Sequence, residues 1–132
     1  LRCLVGSEMC IRDSFSEMAR VTKPYGSIVV YDVMRTGEDD LVFPMPWSST
    51  PEYSFVDTVN AYVKAAESAG LELLTVDDHA EMAVAFFNNP PSEPPPVNLG
   101  HLMGTGMPEM FANARDAINS GTISPILLRF TN

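Results

Sequence analysis

Two charged residues at the end of an apolar run, Asp32 and Arg35, have side chains suited to holding a small polar molecule. A carboxylate can orient an amine or a hydroxyl group, and a guanidinium can pair with a carboxylate. Each residue also has a structural alternative: Asp32 could accept hydrogen bonds where a strand ends, and Arg35 could be a solvated loop residue. We predict both as candidates for substrate binding, with these alternatives open.

Two further candidates lie in segments rich in proline or glycine. Trp47, the only tryptophan, could cover a bound molecule or attract a cation through its ring face, or it could anchor its loop in the core. His101 could act as a base, or it could be an ordinary loop histidine. The run from Asp77 to His79 is interpreted as a solvated turn, because consecutive side chains diverge. We predict no metal site and name no catalytic residue.

The element that must position Asp32 is the clearest in the sequence. Residues 14–22 are predicted as the tail of a helix, which Pro24 ends because proline disfavours a helical residue before it. Gly26 then gives the turn its conformational freedom. The run over 27–32 is almost continuously apolar, which is typical of a strand covered on both faces. Asp32 is therefore expected at the end of a buried strand.

The rest of the chain alternates helices and strands. Pro125 is expected to confine the start of the last strand to an edge or a bulge, because proline lacks an N–H group. The strand and helix that follow residue 27, together with the next strand, form a βαβ pattern. The patterns predict a long connection over 35–54, a helix over 55–69 capped by Ser54, a strand over 71–76, a helix over 80–87, an exposed extended segment over 88–97, a helix over 108–119 and a strand over 123–130.

Composition narrows the classes of function. The chain has 132 residues, enough for one domain or part of one, and a formal net charge of −9. An acidic surface disfavours nucleic acid, whose binding relies on Lys and Arg contacts to phosphates. No apolar run approaches the roughly 18 residues of a membrane helix. We therefore expect a cytoplasmic protein with neither a nucleic-acid nor a membrane partner.

The first fourteen residues, LRCLVGSEMCIRDS, resemble translated sequencing-adapter sequence. We interpret residues 1–14 as an artefact or a disordered extension and residues 15–132 as a partial domain; an ordinary N-terminal segment is the alternative. Both cysteines, Cys3 and Cys10, fall in this segment. We accordingly draw no inference about disulfides or metals from them.

Four pieces of sequence carry a resemblance to a known family. They are ARVTKPYG over 19–26, Pro-Trp at 46–47 followed by Ser-Phe at 54–55, AAESAGLE over 65–72, and the glycine-to-phenylalanine stretch over 121–130. Together they resemble class I S-adenosylmethionine-dependent methyltransferases that act on small molecules, of the ubiquinone/menaquinone and glycine/sarcosine types. The resemblance covers the C-terminal half of that family. It implies an α/β fold, namely the C-terminal half of a Rossmann-like sheet, with about three strands and flanking helices.

The resemblance also implies how cofactor and acceptor are divided. The family's glycine-rich loop and the acidic residue ending its second strand are not in this sequence, so S-adenosylmethionine is expected to bind mainly to the N-terminal half, and we assign no cofactor-binding residue here. Thr22 and Tyr25 depart from the family's usual Leu and Gly. The implied role is the acceptor side of a pocket for a small-molecule methyl acceptor, in a chain expected to be inactive alone.

Two other functions stay open. One is a non-catalytic binding or dimerisation module derived from the same fold, and the other is a different doubly wound enzyme, since a fold does not fix a function. A buried strand without its neighbour would leave an open sheet edge, and such edges pair with other chains. A homodimer through that edge is the corresponding prediction.

Overall fold

Three strands and five helices form the part of the chain that the structure describes, which is residues 7–89, 93 and 95–132 of a computed structural model. Short 3-10 turns at Pro51–Tyr53 and Gly104–Gly106 complete the set. In chain order the elements are α1 (Ser7–Val21), β1 (Ser27–Arg35), α2 (Val59–Ser68), β2 (Glu72–Asp78), α3 (Ala80–Asn88), α4 (Gly100–Met103), α5 (Met107–Asn119) and β3 (Ile123–Thr131).

The three strands form one sheet in the order β1–β3–β2, with β3 antiparallel to both neighbours. β1 and β2 are therefore parallel to each other, with β3 between them. The predicted α/β architecture with about three strands and flanking helices is confirmed. The register between β2 and β3 ends at Asp78 and Ile126, and just beyond it the Pro125 carbonyl accepts a hydrogen bond from the His79 N–H at 3.0 Å. Pro125 therefore lies in the central strand, next to the end of β2, and not at an edge of the sheet.

One face of the sheet carries the larger core, which α1 and α2 cover. Phe15 of α1 packs edge-on against Phe130 of β3 and against Tyr62 of α2, with ring centroids 5.3 Å and 6.4 Å apart. Edge-to-face aromatic pairs add stabilisation beyond the area they bury. The opposite face carries a smaller cluster around Ile123 and Ile118, where α3 and α5 pack.

The coverage of β1 differs from the prediction. Its side chains alternate between the two faces, and Val29 and Tyr31, which point away from the larger core, are each 54% exposed. The helices α3 and α5 reach only the end of the sheet near Ile123. The prediction of a strand buried on both faces is therefore wrong over the first half of β1.

The start of α2 also differs from the prediction. The helix begins at Val59, and Thr58 caps it by accepting a hydrogen bond from the Ala61 N–H at 3.2 Å. Residues 55–57 remain extended because the Asp57 carbonyl accepts a hydrogen bond from the Arg35 N–H at 2.9 Å, beside the end of β1. The predicted cap, Ser54, lies outside the helix. Pairing with β1 thus outweighs the helical pattern of these residues.

The remaining boundaries shift by a few residues. α2 ends at Ser68, and Gly70 follows the C-cap residue Ala69 with a φ of +85°, which glycine adopts without strain. The predicted extended segment over 88–97 is only partly testable: α3 continues through Asn88, and residues 90–92 and 94 lie outside the described residues.

Residues 1–6 also lie outside the described residues. Residues 7–14 begin α1, and Ile11 packs against the larger core; that this segment is an artefact stays a prediction. None of the helices described is both long and apolar enough to cross a membrane.

Candidate functional site

Asp32 lies near the carboxyl end of β1, on the face that α2 covers. Its Oδ2 atom accepts a hydrogen bond from the Tyr62 hydroxyl at 2.7 Å, and its Oδ1 atom accepts one from the Val33 N–H at 2.8 Å. The side chain is nevertheless exposed. Asp32 thus fills the structural role of a hydrogen-bond acceptor, while its carboxylate stays accessible from solvent. Its role in substrate binding remains a prediction.

Tyr62 is the buried partner of this carboxylate, with 7% of its surface exposed. Burial is the main cause that raises the pKa of the Tyr62 phenol, and the hydrogen bond to Asp32 and the nearby negative charges of Asp32 and Asp57 add to it. The phenol is therefore neutral at physiological pH and serves as a donor to Asp32.

The raised pKa of Tyr62 predicts a loss of stability at alkaline pH. An unfolded tyrosine ionises near pH 10, whereas the folded protein keeps this proton to higher pH, so the stabilisation is complete below about pH 10 and is lost as the pH rises above it. Above about pH 10, this ionisation should lower the free energy of unfolding of the parent chain by about 1.4 kcal/mol per pH unit. We expect Tyr62→Phe to lack this contribution. Urea unfolding between pH 8 and about 11.5 measures it. Tyr25→Phe, at a residue 92% exposed, is the matched control; equal slopes for Tyr62→Phe and this control would contradict the prediction.

Asp32 and Trp47 line the same cavity, which has a volume of about 300 Å³ and lies beside the outer edge of β1. Trp47 is 38% exposed, and its indole N–H donates a hydrogen bond to the Ser54 hydroxyl at 3.0 Å. It is therefore held within the connection between β1 and α2 rather than anchored in the core. The residues lining the cavity are Asp32, Val33, Trp47, Tyr53, Phe55, Val56 and Tyr62.

Arg35 lies close to this cavity but faces a neighbouring one of about 400 Å³. Val56 lines both cavities. The Arg35 Nη2 atom donates a hydrogen bond to the Asp39 carbonyl at 2.7 Å. The guanidinium therefore binds the backbone of the connection between β1 and α2. Its predicted pairing with an acceptor carboxylate stays a prediction.

His101 is separate from these residues. It lies on the short helix α4, is exposed, and has its Nδ1 atom 3.3 Å from the Asn98 carbonyl oxygen. It is not among the residues that line the cavity beside Asp32. The structure therefore brings Asp32 and Trp47 together, places Arg35 next to them, and leaves His101 elsewhere.

Three aromatic residues of this cavity were not predicted as site residues. Phe55 and Tyr62 lie in the segment over 55–69 that is predicted as a helix, and Tyr53 lies in the predicted connection over 35–54. A signal was present in the sequence, because Trp47, Tyr53 and Phe55 cluster within nine residues of one connection. Aromatic residues in a long connection that are not needed for the core indicate a binding loop.

The structure has a larger cavity elsewhere. A cavity of about 500 Å³ lies between α1 and α2, but it is lined by Ile11 and Arg12 of the segment interpreted as an artefact. Among the residues described, no group of three or more acidic, histidine or cysteine side chains is arranged to hold a metal ion. The cavity beside Asp32 is the candidate site because two of the predicted site residues, Asp32 and Trp47, line it.

Comparison with known proteins gives likeness in structure but not in sequence. No protein-family model and no curated protein sequence matches this chain. Among solved structures, it is similar to a protein from Galdieria sulphuraria assigned as a sarcosine dimethylglycine methyltransferase. The TM-score is 0.65 and the identity 16%, over 92% of this chain and 47% of the other.

Two further structures show the same likeness. Geranyl diphosphate C-methyltransferase from Streptomyces coelicolor A3(2), solved with S-adenosyl-L-homocysteine, has a TM-score of 0.62 and 16% identity over 92% of this chain and 42% of its own. A cyclopropane synthase from Mycobacterium tuberculosis has a TM-score of 0.62 and 8% identity over 95% of this chain and 50% of its own.

These likenesses establish the fold. The chain has the α/β fold found in part of the S-adenosylmethionine-dependent methyltransferase structures, which confirms the resemblance to the C-terminal half of a class I fold. It spans about half the length of the solved structures it matches.

Proposed function

We propose that this chain is a fragment of a small-molecule S-adenosylmethionine-dependent methyltransferase and contributes the acceptor side of its pocket. The observation that carries the proposal is the match of nearly the whole chain, 92%, to about half of a methyltransferase structure. The sequence pieces that resemble the same family support it independently. A small-molecule acceptor fits a cavity of about 300 Å³, which is the size of a small ligand site.

The position of Asp32 supports an acceptor role. In open α/β sheets, ligands lie beyond the carboxyl ends of the strands, and Asp32 is near that end of β1. Two hydrogen bonds, from Tyr62 and Val33, fix its carboxylate. Transfer between two bound molecules depends on proximity and orientation, so a fixed and accessible carboxylate is suited to orienting an acceptor.

No residue of this chain is assigned to the cofactor. When bound, S-adenosylmethionine supplies a methyl group activated on a sulfonium ion. In doubly wound folds a glycine-rich loop between a strand and a helix approaches the cofactor. Gly70, Gly104 and Gly121, the glycines with positive φ among the residues described, each follow a helix instead. The cofactor is therefore expected to bind mainly to the N-terminal half of such an enzyme.

A second candidate is a non-catalytic dimerisation module. The observation that favours it is the outer edge of β1: within the described ranges 7–89, 93 and 95–132, no other strand pairs with it, apart from one bridge between Arg35 and Thr58. Val29 and Tyr31 are exposed on this edge strand. Unpaired edges of this kind pair with other chains.

The test of the methyltransferase proposal begins with the source DNA upstream of residue 15. We expect an open frame that encodes a strand followed by a Glu/Asp-x-Gly-x-Gly loop. Titration calorimetry should then show S-adenosylmethionine binding to the joined protein and none to the 132-residue chain at the same concentrations. Tight binding by the chain alone, or an encoded LRCLVGSEMCIRDS with its own start, would contradict the proposal and favour the dimerisation module.

A further inference from the structure

We infer that the cavity beside Asp32 is a recognition site for a small organic cation, that is, an aliphatic or methylated ammonium group. The site combines aromatic side chains with one carboxylate, a combination that selects positive charge. Where this cation is the methyl acceptor, the inference rests on the proposed function and narrows the acceptor to an amine.

Aromatic side chains form most of the described lining of the cavity. Four of the seven residues around the cavity are aromatic: Trp47, Tyr53, Phe55 and Tyr62. Three of these residues are partly open to solvent: Trp47 is 38% exposed, Tyr53 68% and Phe55 41%. Grouped exposed apolar side chains mark binding sites rather than ordinary surface. The faces of such rings attract ammonium groups, most strongly for tryptophan and tyrosine.

The charge of the cavity is negative. Among the described residues that line it, Asp32 is the only charged one. The Asp32 carboxylate accepts two hydrogen bonds, from the Tyr62 hydroxyl and the Val33 N–H. A carboxylate has about four lone-pair sites, so it can accept a further hydrogen bond. The site is therefore negative, exposed and already oriented. A carboxylate or phosphate ligand would be repelled there, whereas an ammonium group would be attracted.

Arg35, the nearest basic residue along β1, donates to the Asp39 carbonyl and lines the neighbouring cavity instead. Within the part of the chain that the structure describes, no lysine or arginine lines the cavity of Asp32. A volume of about 300 Å³ also admits a ligand the size of choline.

The test uses a cation and its neutral isostere. Choline and 3,3-dimethylbutan-1-ol have the same shape, but only choline is charged. Trp47 is the only tryptophan and lines the cavity, so its fluorescence reports binding to the 132-residue chain directly. We expect choline to change this fluorescence saturably and to bind about tenfold or more tightly than the neutral alcohol.

Two variants locate the binding. Asp32→Asn keeps the shape and an acceptor for the Tyr62 hydroxyl, and we expect it to weaken choline binding about tenfold. Tyr53→Leu is expected to weaken it about threefold or more. Tyr25→Leu, a matched change at a tyrosine that does not line the cavity, should leave binding unchanged. Equal affinity for choline and the alcohol, or no loss in Asp32→Asn, would overturn the inference and indicate a purely apolar site.

This binding test is independent of methyl transfer. If the joined protein binds S-adenosylmethionine but the cavity does not distinguish choline from its isostere, the inference fails and the methyltransferase proposal stands. If choline binds selectively but the upstream sequence lacks the cofactor loop, the cation site stands and the methyltransferase proposal fails. The two failures are therefore distinguishable.

Discussion

Replacing Phe130 by alanine is expected to lower the free energy of unfolding by about 3–5 kcal/mol. Phe130 is fully buried on the central strand, where it pairs with Ile28 of β1 and Leu73 of β2. Its ring packs edge-on against Phe15, with 5.3 Å between centroids. The substitution therefore opens a cavity where α1 and all three strands meet. Because small domains are stable by only about 5–15 kcal/mol, this variant should lie close to unfolding.

The matched control is Phe86→Ala, the same substitution at a residue of α3 that is 66% exposed. It should change the free energy of unfolding by less than about 1 kcal/mol. Urea unfolding followed by circular dichroism measures both variants and the parent chain under one condition. A similar loss in both variants would show that Phe130 does not occupy the centre of the core.

The boundaries of a helix or turn were predictable from the sequence where neighbouring residues alone determine them. The break after Pro24 and the left-handed Gly70 after α2 follow from backbone geometry that only a few residue types allow. The left-handed residue of the first turn is Tyr25, with a φ of +63°, whereas Gly26 is needed for space, because a Cβ there would lie 2.8 Å from the Lys23 carbonyl oxygen. The start of α2 was not predictable, because its limit is set by a hydrogen bond from Arg35 to the Asp57 carbonyl. That contact joins residues 22 positions apart, and no helical pattern contains it.

Exposure of β1 shows a second limit. A run such as that over 27–32 is typical of a strand covered on both faces, but coverage depends on which helices reach it. Here α3 and α5 cover only the end near Ile123, so Val29 and Tyr31 remain exposed. An apolar strand sequence indicates that the strand is suited to burial on both faces. It does not show whether the same chain supplies the helices that would cover both faces.

The candidate site was predictable residue by residue but not as an arrangement. Asp32 and Trp47 were identified from their chemistry, and the structure brings both to one cavity. Tyr62 lies in the predicted helix and is buried in the larger core, yet its hydroxyl also reaches Asp32. One side chain can serve the core with its ring and the site with its polar end. A sequence pattern reports only the first of these two roles.

The outer edge of β1 leads to the second prediction with a large effect. We expect the chain alone to self-associate, because β1 offers unpaired backbone groups and the exposed side chains of Val29 and Tyr31. Val29→Lys should shift the chain to monomer, since lysine on an edge strand opposes pairing with a second edge. Leu102→Lys is the control, because it adds the same charge at a residue of α4 that is 85% exposed. Sedimentation velocity over a range of concentrations measures all three proteins.

The result of this experiment separates the two candidate functions, because each explains the unpaired edge of β1 differently. A dimerisation module would pair it with a second copy, and a methyltransferase fragment would pair it with a strand of the other half. If the chain is a dimerisation module, Val29→Lys separates the dimer in any form of the protein, and Leu102→Lys does not. If an upstream half supplies the neighbouring strand, the joined protein is monomeric already, and a lysine at position 29 should lower its stability without changing its mass in solution. A wild-type chain that stays monomeric at every concentration would contradict the expected self-association. Equal dissociation of both lysine variants would mean that added charge, and not the edge of β1, controls association.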